Sequence, residues 1–171
     1  MVEIVQLNGE EAASQVPALA GVLLDCVAGG ASVGFMASLT RESAEAYFAK
    51  WVRSAQLGER VLLGAFVDGA LVGTVQVLLS TAPNQPHRAD IAKMLVTRAA
   101  RGRGIGALLL TAAEEAARLV GKSLLVLDTV SGSAGERLYA RLGWTRAGSI
   151  PDYALFPDGR FCDTTIFWKK L

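Results

Sequence analysis

The sequence predicts an α/β (α+β) domain, and three observations carry the prediction. Apolar segments of strand and helix character alternate along all 171 residues. An Asp68-Gly69 dipeptide separates two runs rich in β-formers, the signature of an antiparallel hairpin. Between Ile91 and Val120 a strand, a basic glycine-rich turn and a long helix follow one another. One domain, residues 1–171, is expected, since a chain of this length buries a core without metals or disulfides.

The elements follow in order. Val2–Leu7 reads as a short strand and Glu11–Cys26 as a helix ending near Gly29-Gly30. The segment GGASVGFM, residues 29–36, is a loop. Thr40–Leu57 has Tyr47, Phe48, Trp51 and Val52 at helical spacing, with Gly58 placed to terminate the helix. Val61–Val67 and Leu71–Leu79 are the two arms of the hairpin. After a loop at Pro83–Pro86, Ile91–Val96 reads as a strand, Gly104–Val120 as a helix, Leu124–Leu127 as a buried strand and Ala134–Leu142 as a short helix. Two further strands, Trp144–Ile150 and Thr164–Trp168, flank the turn-like PDYALFPDGR.

Composition removes several function classes. A net charge of +1 gives no basic excess for nucleic acid or an anionic membrane, so neither is expected as a partner. The apolar run Val16–Leu24 follows Glu10 and Glu11 in place of a basic leader and is too short to span a bilayer. Cys26 and Cys162 lack C-x-x-C or metal-ligand spacing, and the one histidine, His87, sits in a turn-rich PNQPHR segment. No metal site and a reducing, cytoplasmic setting are therefore expected.

The most informative stretch is TRAARGRGIGALLLTAAEEAARL, residues 97–119. Gly102, Gly104 and Gly106 sit where a strand hands over to a helix, so amide groups approach an anion closely, and the helix N-terminus adds about half a positive charge. Arg98, Arg101 and Arg103 surround them. The pattern fits a diphosphate; a glycine-rich turn with solvated arginines is the alternative. Gly102, Gly104 and Ala107 also satisfy G-x-G-x-x-A, with Asp128 about twenty residues on, so an NAD-binding oxidoreductase competes on pattern. However, only 43 residues follow Asp128 and the preceding hairpin is antiparallel, which leaves no room for a doubly wound sheet. Order and length favour coenzyme A.

Arg101-x-x-Gly104-x-Gly106 resembles the pyrophosphate-binding R/Q-x-x-G-x-G/A motif of GNAT acetyltransferases, and Leu138-Tyr139 with Leu142-Gly143-Trp144 is similar in spacing to that family's later motif. The segments GGASVGFM, KMLV, LDT followed by GS, and PDGR resemble most closely family members that inactivate tabtoxin, a small β-lactam amino-acid toxin. The resemblance implies a mixed, mostly antiparallel sheet flanked by helices, with acetyl-CoA in a splayed gap between two parallel strands. It places Met94 and Val96 on the pantetheine, the Leu95 amide on the thioester carbonyl, and Arg101, Gly102, Arg103, Gly104, Ile105, Gly106 and Ala107 on the pyrophosphate, with Ser133 a further cofactor contact near Ser131. Arg98 departs from the family's usual proline and Gly132 from its asparagine.

Acetyl transfer to an amine needs a base near the acceptor and an acid near the sulfur. Tyr139, at the motif position, is the acid candidate, with core packing as its alternative role. Asp90 and Asp128 are the base candidates, acting directly or through water, and alternatively cap elements or pair with arginine. Gly30, Phe35 and Tyr153, with the two aspartates, are the candidate substrate contacts; a plain connector and an ordinary turn are the alternatives for the loop and the PDGR hairpin. Cys26 as a nucleophile is a further route, with no activating neighbour in sequence. The expected activity is N-acetylation of a small-molecule amine, in a monomer or homodimer; a non-catalytic acyl-CoA-binding domain is the alternative.

Overall fold

Each of the seven strands that the sequence predicts forms, and together they make one sheet: β1 (Val2–Gln6), β2 (Arg60–Val67), β3 (Ala70–Leu79), β4 (Arg88–Val96), β5 (Leu124–Val130), β6 (Thr145–Leu155) and β7 (Phe161–Lys170). The structure is a computed structural model that describes residues 1–79 and 82–171. The strand order is β1-β2-β3-β4-β5-β7-β6, antiparallel throughout except between β4 and β5. A sheet of this kind is not the doubly wound parallel sheet that the dinucleotide alternative requires. The β2–β3 turn has φ +50 at Asp68 and +79 at Gly69, the left-handed pair that a two-residue hairpin demands.

β4, β5 and β7 run three to five residues longer than the sequence reading gave them, and two elements differ in kind, each because of a proline. The helix expected over Glu11–Cys26 is two helices, α1 (Gly9–Ser14) and α2 (Val16–Ala28), divided at Gln15. Pro17 donates no amide hydrogen, and in a continuous helix its ring would press on the carbonyl of Ala13, so a new helix starts with proline in its first turn. At the other end, Pro151 and Asp152 lie within β6, and the turn shrinks to Phe156–Arg160. β6 is the sheet edge, where a proline breaks no ladder, and Asp152 at φ +51 absorbs the register shift between Ile150 and Ala154 as a bulge.

Helices cover both faces of the sheet. On one face α4 (Ile105–Leu119) sets Ile105, Leu109, Leu110, Ala113 and Ala117 against Leu63, Val75, Val77 and Leu125. On the other, α2 and α3 (Arg41–Gln56) set Leu19, Leu23, Phe48 and Val52 against Leu7, Leu62 and Leu95, lying over β2, β3 and β4. The short α5 (Ala134–Arg141) follows β5. No helix among the described residues is long and apolar enough to cross a membrane.

One buried ionic group ties the second half together. Glu114 of α4 accepts from Lys169 of β7 at 2.8 and 2.9 Å and from the indole of Trp144 at 2.9 Å, while the same ammonium donates to the Leu142 carbonyl at 2.8 Å, just past α5. Removing one partner strands the others in the interior. Glu114→Ala is therefore expected to lower unfolding free energy by about 3 kcal/mol in urea titrations, and the double change Glu114→Leu with Lys169→Met by less than the single change.

Candidate active site

β4 and β5 share register only at Arg88↔Leu124, Ala89↔Leu125 and Asp90↔Val126; β4 then runs on to Val96 and β5 to Val130 unpaired with each other. A bulge marks the separation: Lys93 has φ +49, and the β3–β4 register slips between Thr74 and Gln76. The direction of the main chain past the bulge follows from register. Thr97 N donates to Val72 O at 2.9 Å, and Leu95 sits opposite Thr74, so alternation turns the Leu95 main chain toward β3 and leaves Val96, and two residues back Met94, facing the open side. The Leu95 amide, assigned above to the thioester, thus points toward β3, and the Met94 and Val96 main chains face the cleft.

The opening is a cleft of about 920 Å³. Its walls are Ile91–Val96 of β4, the turn from Ala100 to Ala107 without Arg103, Asp128–Val130 of β5, Ser133–Gly135, Leu138, Tyr139 and Arg141 around α5, Gly29–Gly34 after α2, and Tyr153, Ala154, Phe156 and Cys162–Thr164 of the β6–β7 hairpin. Phe35, Asp90 and Arg103 lie outside this wall. Phe35 packs edge-on to Tyr47 of α3 with centroids 5.0 Å apart, and Asp90 forms an ion pair with Arg88 at 3.2 Å.

At one end the chain presents an anion cradle. Gly102 and Gly104 have φ +76 and +77, and Gly104 caps α4 without a side-chain partner. The amides of Gly102, Arg103, Gly104, Ile105 and Gly106 donate to no acceptor among the described residues, so the helix N-terminus keeps its donors free for a ligand. Gly106 is tight: an added Cβ would sit 3.1 Å from Leu138. Arg101 lines the cleft, its Nε 3.1 Å from the Val96 carbonyl. Arg98 does not join the cradle. Its guanidinium and main-chain amide hold Asp25 at the end of α2 at 2.9 and 2.7 Å, and its side chain crosses Gly29.

At the other end, the Gly29–Met36 loop is fastened to the β6–β7 hairpin. Ser32 Oγ donates to the Leu155 carbonyl at 2.7 Å, Cys162 Sγ donates to Ser32 Oγ at 3.4 Å, and Ala37 N donates to Pro157 O at 3.1 Å. Gly30 and Tyr153, read from the sequence as substrate contacts, both line the cleft.

Tyr139 and Asp128 stand between the two ends. The Tyr139 ring packs 6.0 Å from both Trp144 and Phe167 and is 5% exposed, and its hydroxyl meets no acceptor among the described residues. Burial, with a smaller push from Asp128, raises the phenol to about 12. Asp128, at an exposed position on β5, accepts from Thr164 Oγ1 at 3.1 Å. Burial raises the Asp90 carboxyl; Arg88 opposes the shift and Asp128 adds to it. Ser133 Oγ accepts from Glu136 N at 3.1 Å as the cap of α5, so this hydroxyl already serves the helix. Burial pushes the Cys26 thiol up against the pull of Arg101, which keeps it protonated and unsuited to nucleophilic attack. Lys93 also lines the cleft and was not singled out from the sequence, although a lone cation within IAKMLV is a visible signal.

Residues 31–144 match the model of the acetyltransferase (GNAT) family. The chain belongs to the GNAT acetyltransferase family. An uncharacterized N-acetyltransferase from the hisH-hisA intergenic region of Azospirillum brasilense is 33% identical over 147 residues, covering 77% of this chain and 85% of the relative. Among solved structures, the putative acetyltransferase yncA of Salmonella typhimurium with its cofactor acetyl-CoA superposes with TM-score 0.82 at 20% identity, covering 100% of this chain and 94% of that one. A phosphinothricin acetyltransferase of Sinorhizobium meliloti in complex with AcCoA gives 0.84 at 17%, covering 99% and 88%. This GNAT protein is an acetyl-CoA-dependent N-acetyltransferase, and its free amides and Arg101 fit a diphosphate.

The two arginines separate in a binding experiment. A lost charge-assisted contact costs about 1.5–3 kcal/mol, so Arg101→Ala is expected to weaken acetyl-CoA binding by roughly 10-fold or more in calorimetry. Arg98→Ala is expected to leave the Kd within about threefold, since its partner is Asp25.

Proposed function

We propose that this GNAT enzyme acetylates the amine of a small, amino-acid-like molecule, with inactivation of a toxin or antimetabolite of the tabtoxin kind as its role. The observation that carries the reading is the fastened acceptor compartment. The loop and hairpin that bound it are stitched by Ser32 to Leu155 and Ala37 to Pro157, which suits a compact acceptor better than a protein segment.

Acetyl-CoA supplies an acetyl group already activated as a thioester. The residues of the chain bind, orient and move protons. The Arg101–Ala107 turn holds the diphosphate, and the main chain of Met94 and Val96 holds the pantetheine, with the Met94 amide on the thioester carbonyl. Asp128 takes the proton that the acceptor ammonium releases, directly or through water, so that the amine attacks. As the C–N bond forms and the C–S bond breaks, the nitrogen gives up its second proton to water, Tyr139 gives its phenolic proton to the departing sulfur, and the phenolate is reprotonated from solvent, so that a neutral amide and free thiol leave. Asp90 stands behind Asp128 as an electrostatic neighbour held by Arg88.

Acceptor-dependent thiol release from acetyl-CoA tests the reading: free amino acids and related antimetabolites are expected to support turnover, and preference for peptide N-termini would overturn it. Tyr139→Phe is expected to lower kcat by about 100-fold or more while leaving acetyl-CoA affinity within about twofold. A phenol at about 12 remains protonated at lower pH. The wild-type kcat should therefore show no alkaline loss from this group between about pH 7 and pH 10, which a pH profile at saturating substrates reads directly.

A further inference from the structure

Lys93 is a cation that the proposed chemistry leaves unused. It projects from the β4 bulge at φ +49, a left-handed conformation that is unfavourable for a residue with a side chain, and it is only partly exposed. Its ammonium lies against the acceptor loop: a Cβ on Gly34 would be 3.6 Å from Nζ, an ordinary contact distance. The Tyr47 ring centroid is 6.0 Å away, at the outer limit of a cation–π contact. Among the described residues Lys93 has no hydrogen-bond acceptor and no carboxylate within ion-pair distance. Burial depresses the ammonium below the usual lysine value; the field of Asp128 opposes that shift and Arg60 adds to it. A half-buried charge held by a strained backbone and left without an anion is complete only when a ligand brings one.

Asp128 and Lys93 both line the cleft, a carboxylate and an ammonium in one compartment. We infer that Lys93 is a specificity residue that binds a carboxylate, or an equivalent acid group, carried by the acceptor beside its reacting amine, so that the enzyme selects zwitterionic amines over simple ones. The inference rests on the small-molecule reading of the site and narrows it to a substrate class.

The test uses the standard L-amino acids and phosphinothricin, with the decarboxylated amine and methyl ester of each amino acid for comparison. For the wild type, kcat/KM for the acids is expected to exceed that for the matched neutral-tail amines by about 10-fold or more. Lys93→Met should bring this ratio close to one, chiefly through KM for the acids, and Lys93→Arg should keep part of it. Variant and wild type meet the same amines, so differences in amine basicity cancel when their ratios are compared. Unchanged acetyl-CoA affinity by calorimetry shows that each variant is folded. A ratio that persists in Lys93→Met, or a wild type indifferent to the carboxylate, overturns the role of Lys93 and leaves the small-molecule reading standing. A wild type that binds acetyl-CoA, ignores every small amine and acetylates peptides overturns both.

Discussion

The separation of two parallel strands after three shared register pairs is the constraint on which the rest of the molecule depends. Main-chain groups along β4 that face the gap have no strand to bond, and burying them dry would cost free energy at each position. A cleft keeps them in contact with solvent until a ligand replaces it. Close packing on both sides lets the gap stand open without collapse. Gly73 of β3 lies where a Cβ would come 2.9 Å from the Leu95 carbonyl and 3.1 Å from Leu109, so β3, β4 and α4 approach within the space of one missing methyl group. Gly106 does the same between α4 and Leu138 of α5. Two glycines thus set how near the helices come to the opening, one on each side.

A net charge of +1 conceals a polarised cleft. The unshared amides of the α4 N-terminus and Arg101 line it at one end, and Asp128 and Lys93 line it further along. Arg98, between them in sequence, is a brace: its two contacts with Asp25 join the end of α2 to the turn before α4. The pair is half-exposed and so contributes little to stability, yet it fixes where the loop after α2 begins. Arg98 stands where the family commonly has proline, a residue that would stiffen the same turn covalently. The sequence therefore replaces one restraint with another. Gly132 in place of asparagine has a comparable reason. Its φ of +74 is a conformation that glycine and asparagine both tolerate, so the backbone path is kept and only the side-chain amide is lost.

Local sequence was enough to place the strands, the Asp68-Gly69 hairpin, the glycine cradle and the Tyr139 helix, because each rests on neighbours within a few residues. What sequence reading missed depends on partners far along the chain. The role of Arg98 is decided by a carboxylate 73 residues earlier, and the direction of the Leu95 amide by its register against Thr74. Pro151 and Asp152 look like a turn until β6 is known to be the sheet edge, where a bulge accommodates both. Lys93 was legible as an isolated charge in an apolar strand, but its lack of a partner appears only once Gly34 and Tyr47 are brought over it.

The two readings of Tyr139, proton donor or core residue, are not alternatives once its surroundings are considered. The ring packs against Trp144 and Phe167, and Trp144 is anchored by Glu114, which also binds Lys169, so the packing of the second half of the chain sets the position of the phenol. The Ser133 cap and the reach of Glu136 back to the Gly132 amide fix where α5 begins, and with it which turn of the helix brings Tyr139 to the cleft. Burial in this packing is the larger of the two causes that raise the phenol, with the field of Asp128 the smaller. A tyrosine free in solvent would ionise near its ordinary value and become an acceptor at high pH; one enclosed by aromatic rings stays a donor across the range in which an amine acceptor is increasingly deprotonated and reactive. Core packing is thus the means by which the structure keeps the Tyr139 phenol protonated, as the proposed proton donor must be.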